Sequence, residues 1–211
     1  MCNRYRVAAD IEKLRTIFQN APDEWFAQTD RTYVSFYPKS TVPVYLKVNG
    51  NDYYGHFQWG IMPDWAKTKS QILTNTKSEE ALKKPTWTDS FRRRRCLMPA
   101  TSFFEPAKVG GKTHQMEFFL KDASAFAFPG IWQKSTRFGE ERNTCSLLTC
   151  EPNSLVGEIH GRMPCILRPE QFETYLNTPA EQADGLLELL APYPSEEMIG
   201  SINDEKESRL S

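Results

Sequence analysis

The sequence predicts an α+β fold: one domain with a mainly antiparallel β-sheet or barrel-like core and peripheral helices. Three observations carry this. Short β-branched and aromatic runs dominate the middle of the 211-residue chain, with no regular strand–helix alternation between them. Two turn signatures, Asn49-Gly50 and Gly110-Gly111, divide neighbouring runs as hairpin turns do. A hydrophobic content of 39%, with 13 Phe, 8 Tyr and 5 Trp, is enough for one sizeable core.

Ala9–Asn20 reads as a short amphipathic helix, with Asp10 as N-cap and Ile11, Leu14 and Phe18 on one face. Val44–Val48 and Tyr53–Trp59 are strands, and Asn51-Asp52 extends the turn between them into a longer loop. Further strands are expected at Cys96–Met98, Ser102–Glu105, Met116–Leu120, Ala125–Phe128 and Thr144–Cys150. Helices return at Asn153–Ile159, at Pro169–Leu176 with a proline at its start, and at Glu181–Leu190. Residues 1–194 form the expected domain, and 195–211 a polar C-terminal tail.

Several classes are excluded. No apolar run reaches the roughly 18–20 residues that span a membrane. The basic start Met1-Cys2-Asn3-Arg4-Tyr5-Arg6 lacks an apolar segment behind it, so no secretion signal is expected and the chain reads as cytoplasmic. Five cysteines, an odd number without scaffold density, fit a reducing compartment. There is no Cys-x-x-Cys pair and the three histidines lie far apart in sequence, so neither a metal nor another cofactor is expected. The net charge of −1 hides an asymmetry: residues 60–114 carry 11 Lys and Arg against 5 Asp and Glu, and residues 151–211 carry 4 against 12. The run Arg92-Arg93-Arg94-Arg95 is either a solvated edge or a phosphate contact.

Cys2 is the most informative residue. Removal of Met1 would leave an α-amine and a thiol on adjacent carbons. Such a 1,2-aminothiol condenses with an aldehyde to a Schiff base, and the thiol then closes a thiazolidine ring. The amine titrates near about 7.7–8.0 and the thiol near about 8.5, so both are partly available at neutral pH. Three other polar residues stand in unusual contexts: Asn75 after Ile72-Leu73-Thr74, Glu105 after Phe103-Phe104, and His160 before Gly161-Arg162-Met163-Pro164. A carboxyl among aromatics is desolvated, which raises its pKa and suits it to proton transfer. Taken singly, each also has a plain reading: a turn former, a strand residue, a core histidine.

Together they occur in an order that resembles the SOS-response-associated peptidase (SRAP) family, whose members crosslink themselves to abasic sites in single-stranded DNA. The resemblance covers roughly residues 1–191. It rests on Met1 to Tyr5, Val42-Pro43-Val44, Trp59 to Pro63, Asn75 to Glu79, Arg95 to Pro99 leading to Phe103-Phe104-Glu105, Gly130-Ile131-Trp132, and Ile159 to Pro164. It implies that Cys2 attacks, Asn75 holds the terminus and the opened sugar, Glu105 moves protons, and His160 assists deoxyribose opening. It implies DNA contacts through Arg4, Lys77 and Arg162, with Trp65, and in second place Trp59, stacking on bases. It also implies a monomeric bacterial protein working at the nucleoid. The chain departs from the family pattern at Asn3 (usually Gly), Thr76-Lys77 (Ala-Arg), Pro106 (an aromatic) and Gly161 (an acid), and it lacks the Asn of an Asn-x-x-Pro segment near Ser35–Pro38. Two other functions stay open: an N-terminal-nucleophile peptidase or amidohydrolase using Cys2, and a non-covalent single-strand-binding module.

Overall fold

Two β-sheets meet around one aromatic core in the computed structural model, which describes residues 2–8, 11–26 and 33–204. Strand β1 (Tyr5–Ala8) pairs antiparallel with β2 (Tyr33–Phe36). Next come the hairpin β3 (Thr41–Val48) and β4 (Asn51–Trp59), and the three-residue β5 (Asn75–Lys77). Strands β6 (Arg95–Ala100), β7 (Ser102–Val109), β8 (Lys112–Leu120), β9 (Phe126–Ser135) and β10 (Arg142–Cys150) follow. The short β11 (Met163–Pro164) and β12 (Met198–Ile202) complete the set.

One sheet runs β12-β8-β7-β1-β2. The other runs β11-β10-β4-β3-β6-β9, and β9 pairs back onto β10, closing a five-stranded barrel. Closure removes the exposed edges that an open sheet would present. The β4–β10 seam is parallel and short, with Gln58 opposite Thr144 and Trp59 opposite Cys145. Tyr5 lies where the sheets meet, with ring centroids 5.1 Å from Phe36, 5.3 Å from Trp59 and 5.5 Å from Phe128. Burying such a ring stabilises by about 1.5–3 kcal/mol, which anchors the amino-terminal strand.

The expected strands are present, most of them longer than predicted. The β3–β4 turn is a correction: Val48 pairs with Asn51 and Lys47 with Asp52, so no longer loop exists. Asn49 and Gly50 both take left-handed φ (51° and 79°), the two-residue hairpin turn that follows strand twist. The helix expected over 9–20 is α1 (Ile11–Ile17); Ala9 and its proposed cap Asp10 lie outside the described residues. α2 (Asp23–Phe26) and α3 (Pro85–Arg93) were not predicted. α3 buries Trp87, Ser90 and Phe91 and carries the first two residues of the arginine run. α4 (Ser154–Gly157) is capped by Asn153, whose side chain accepts the Val156 N–H. Pro169–Leu176 divides into a 3-10 turn and α5 (Phe172–Asn177), and 180–190 winds as 3-10 turns rather than an α-helix. Part of the expected polar tail, Met198–Ile202, pairs along β8 as an edge strand and buries Met198.

Candidate functional site

Cys2 is fully buried, one turn of extended chain before β1. Its thiol donates to the Arg4 carbonyl at 3.4 Å, and the same oxygen accepts the Phe104 N–H at 3.0 Å. Burial raises the thiol well above its ordinary range, and the Glu105 carboxylate adds to the shift. The residue is therefore held as a thiol, in a fixed place, next to the strand that carries Glu105.

Asn75 comes from the other sheet. It opens β5, which pairs parallel with β10 (Asn75 opposite Leu147), and its Nδ2 donates to the Cys2 carbonyl at 3.0 Å and to Thr74 Oγ1 at 3.0 Å. Its Oδ1 is buried without a partner among the described residues. An orphaned acceptor beside the terminus costs stability unless a ligand or an amine completes it. Glu105 is 1% exposed on β7, and burial lifts its carboxyl above the ordinary value near 4.5, with His160 opposing the shift. His160 Nε2 stands 4.0 Å from Glu105 Oε2. Its Nδ1 lies 3.0 Å from both the Arg162 N–H and the Arg162 carbonyl. Where Nδ1 accepts the Arg162 N–H, the ring proton sits on Nε2, facing Glu105; where Nδ1 carries the proton, it donates to the Arg162 carbonyl.

The four residues chosen for chemistry come together, Cys2 and Glu105 from the open sheet, Asn75 and His160 from the barrel and its loop. Those chosen for DNA contact divide. Trp65 (56% exposed) and Lys77 face solvent. Arg4 is buried, with Nε 3.2 Å from Ser35 Oγ and its guanidinium 3.9 Å above the Phe104 ring. Arg162 makes a two-pronged ion pair with Glu79 (2.6 and 2.9 Å) and donates to the Thr149 carbonyl at 2.6 Å, tying the His160 loop to β10. Trp59 is core: it is fully buried and its indole donates to the Thr74 carbonyl at 2.8 Å. Within the arginine run Arg95 is internal and donates to the carbonyls of Phe91, Tyr175, Leu176 and Thr178, Arg92 pairs with Asp184, and Arg93 is exposed. Sequence reasoning missed Glu79 and Thr149. Glu79 stands inside a quoted block; Thr149, within a buried strand, gives no signal. No cluster of three or more His, Cys, Asp or Glu suited to a metal occurs among the described residues. None of the helices among them is long and apolar enough to cross a membrane.

Fold and site define a barrel-and-sheet protein whose second residue, Cys2, is enclosed by a carboxamide, a carboxylate and an imidazole. The family model for SOS response associated peptidase (SRAP) matches residues 1–202, and the chain belongs to that family. It is 30% identical over 203 residues to the abasic site processing protein YoaM of Bacillus subtilis, covering 94% of this chain and 88% of that one. The abasic site processing protein YobE of the same organism is 32% identical over 165 residues, with coverage of 76% and 75%. Among solved structures, a protein from Bacteroides thetaiotaomicron superposes with a TM-score of 0.79 at 24% identity, covering 95% of this chain and 91% of that one. One from Bordetella bronchiseptica gives 0.78 at 20% identity, with coverage of 96% and 99%. These two likenesses concern the fold.

Proposed function

We propose that this protein processes abasic sites by bonding to them: Cys2, freed of Met1, forms a thiazolidine with the aldehyde of an abasic site in single-stranded DNA. The observation that carries this reading is the convergence of Asn75, Glu105 and His160 on Cys2. Family membership and relatives named as abasic site processing proteins support the class of lesion.

The chemistry balances without an added reagent. The Cys2 amine forms a C–N bond to the aldehyde carbon, one water leaves, and the iminium carbon then accepts the Cys2 sulfur while the thiol proton departs to a base. Glu105, its carboxyl raised by burial, can hold a proton for the departing oxygen and later take the thiol proton. His160 Nε2–H exchanges protons with it and favours the open form of the sugar. The amine adds first and the sulfur second, when ring closure is intramolecular and the effective concentration is high. The peptidase alternative would instead have Cys2 attack an amide with its own amine as the base. Lys77 and Trp65 are the exposed groups for phosphate and base. Arg4 and Arg162 meet DNA only where a phosphate enters beside the site.

The test is a denaturing gel of Met1-processed protein incubated with a single strand carrying one abasic site. A heat-stable shifted band, absent with a tetrahydrofuran analogue that has no aldehyde, is expected. No band, together with turnover of peptide or amide substrates, would replace this reading with the hydrolase.

A further inference from the structure

Two loops far apart in sequence are clamped together beside the site. The segment 62–72 leaves the barrel at Ile61 and returns at Leu73, which bridge to each other two residues before Asn75. The β9–β10 turn meets it: Arg137 Nη2 donates to the Ala66 carbonyl at 2.7 Å, and Lys69 pairs with Glu140 at 2.6 Å. The chain neighbours of that first hydrogen bond are Trp65 and Phe138, 56% and 41% exposed, and neither packs on another aromatic ring among the described residues. Phe138 holds its ring outward at φ +57°, a left-handed conformation unfavourable for a bulky side chain. The Arg137 guanidinium, which joins the two segments, lies 5.6 Å from the Phe138 centroid. Arg137 makes no ion pair among the described residues, and its Nε–H is buried without an acceptor. Exposed Lys67 adds a second cation without an ion pair among the described residues.

We infer that Trp65, Arg137 and Phe138 form a subsite for the flank of the bound single strand. The rings stack on bases and the Arg137 guanidinium takes the phosphate between them. The Arg137 charge has no carboxylate partner among the described residues, and exposed rings beside such a cation match a nucleotide better than an apolar peptide. The inference rests on the reading of the protein as a single-strand binder, and it adds a stacking residue and a phosphate contact on a turn that the sequence did not single out.

The experiment measures anisotropy on labelled single strands with a central tetrahydrofuran site, which bind without crosslinking. One strand has normal flanks; two others have base-free spacers on one side each. Phe138→Ala is expected to weaken binding about 5-fold or more on the normal strand, and to have no effect where the flank it serves lacks bases. Arg137→Gln should weaken all strands and flatten the slope of log affinity against log salt by about 0.7. Phe138→Gly relieves the backbone strain, so it should raise Tm while weakening binding as Phe138→Ala does; Phe138→Tyr should retain affinity. Equal loss on normal and base-free flanks, or unchanged binding for Phe138→Ala and Arg137→Gln, would overturn the subsite. If wild-type protein shows these effects yet forms no adduct with a true abasic site, the crosslinking reading fails and the subsite stands.

Discussion

The arginine run 92–95 and the four-residue cluster of Cys2, Asn75, Glu105 and His160 make an instructive contrast. The run is the most conspicuous charge feature in the sequence, yet its guanidiniums serve the fold. Arg95 is 7% exposed and donates to backbone carbonyls of α3 and α5, while Arg93 and Arg94 pair with Asp89. Cys2, Asn75, Glu105 and His160 are single polar residues far apart in sequence, and the meeting of two sheets brings them together. A charge run in sequence is therefore no charge patch until its acceptors are known; a lone carboxyl among aromatics carries more chemical information, because burial alone perturbs it.

The contrast is broken most severely by removing proton transfer. Glu105→Gln and His160→Asn should each slow adduct formation by about 10²–10⁴-fold in single-turnover assays, with the protein still folded. Among the arginines, Arg95→Met should destabilise by about 3–5 kcal/mol in denaturant unfolding, since several buried carbonyls lose their donor. Arg93→Ala should change stability by no more than about 0.5 kcal/mol and leave DNA affinity within twofold. Equal effects of the two arginine variants would erase the distinction drawn here.

Much of the fold was legible because turn chemistry is local: Asn49-Gly50 and Gly110-Gly111 announce their hairpins, and the apolar runs between them make strands. Barrel closure was not, because the β9–β10 and β4–β10 pairings depend on long-range register. α3 was hidden by the arginines beside its apolar Trp87 and Phe91. β12 was hidden in a polar tail in which, among the described residues, only Met198 is buried. The four chemical positions followed from residue type and resemblance. The engagement of Arg162 with Glu79, and of Arg4 with Ser35 and Phe104, followed from neither, since those partners come from distant segments.

Smaller effects sharpen the same contrast. A carboxyl raised on folding favours the folded state only while protonated, so its contribution is present below about pH 4.5 and is lost as pH rises through the folded value. Glu105→Gln should accordingly raise Tm at pH 7, with the gain shrinking towards zero below pH 4.5; a gain that grows as pH falls would reverse the sign. Tyr5→Phe removes a buried hydroxyl that lacks a hydrogen-bond partner among the described residues, and should leave Tm unchanged or slightly higher. A clear loss would mean that the nearby thiols serve as its acceptors.

The most direct test is the intact mass of Met1-processed protein after incubation with an abasic single strand, followed by peptide mapping, with Cys2→Ala alongside. Thiazolidine chemistry predicts a gain equal to the oligonucleotide minus one water, mapped to Cys2 and absent in the variant. An adduct on a lysine, or one that survives in Cys2→Ala, would contradict the account.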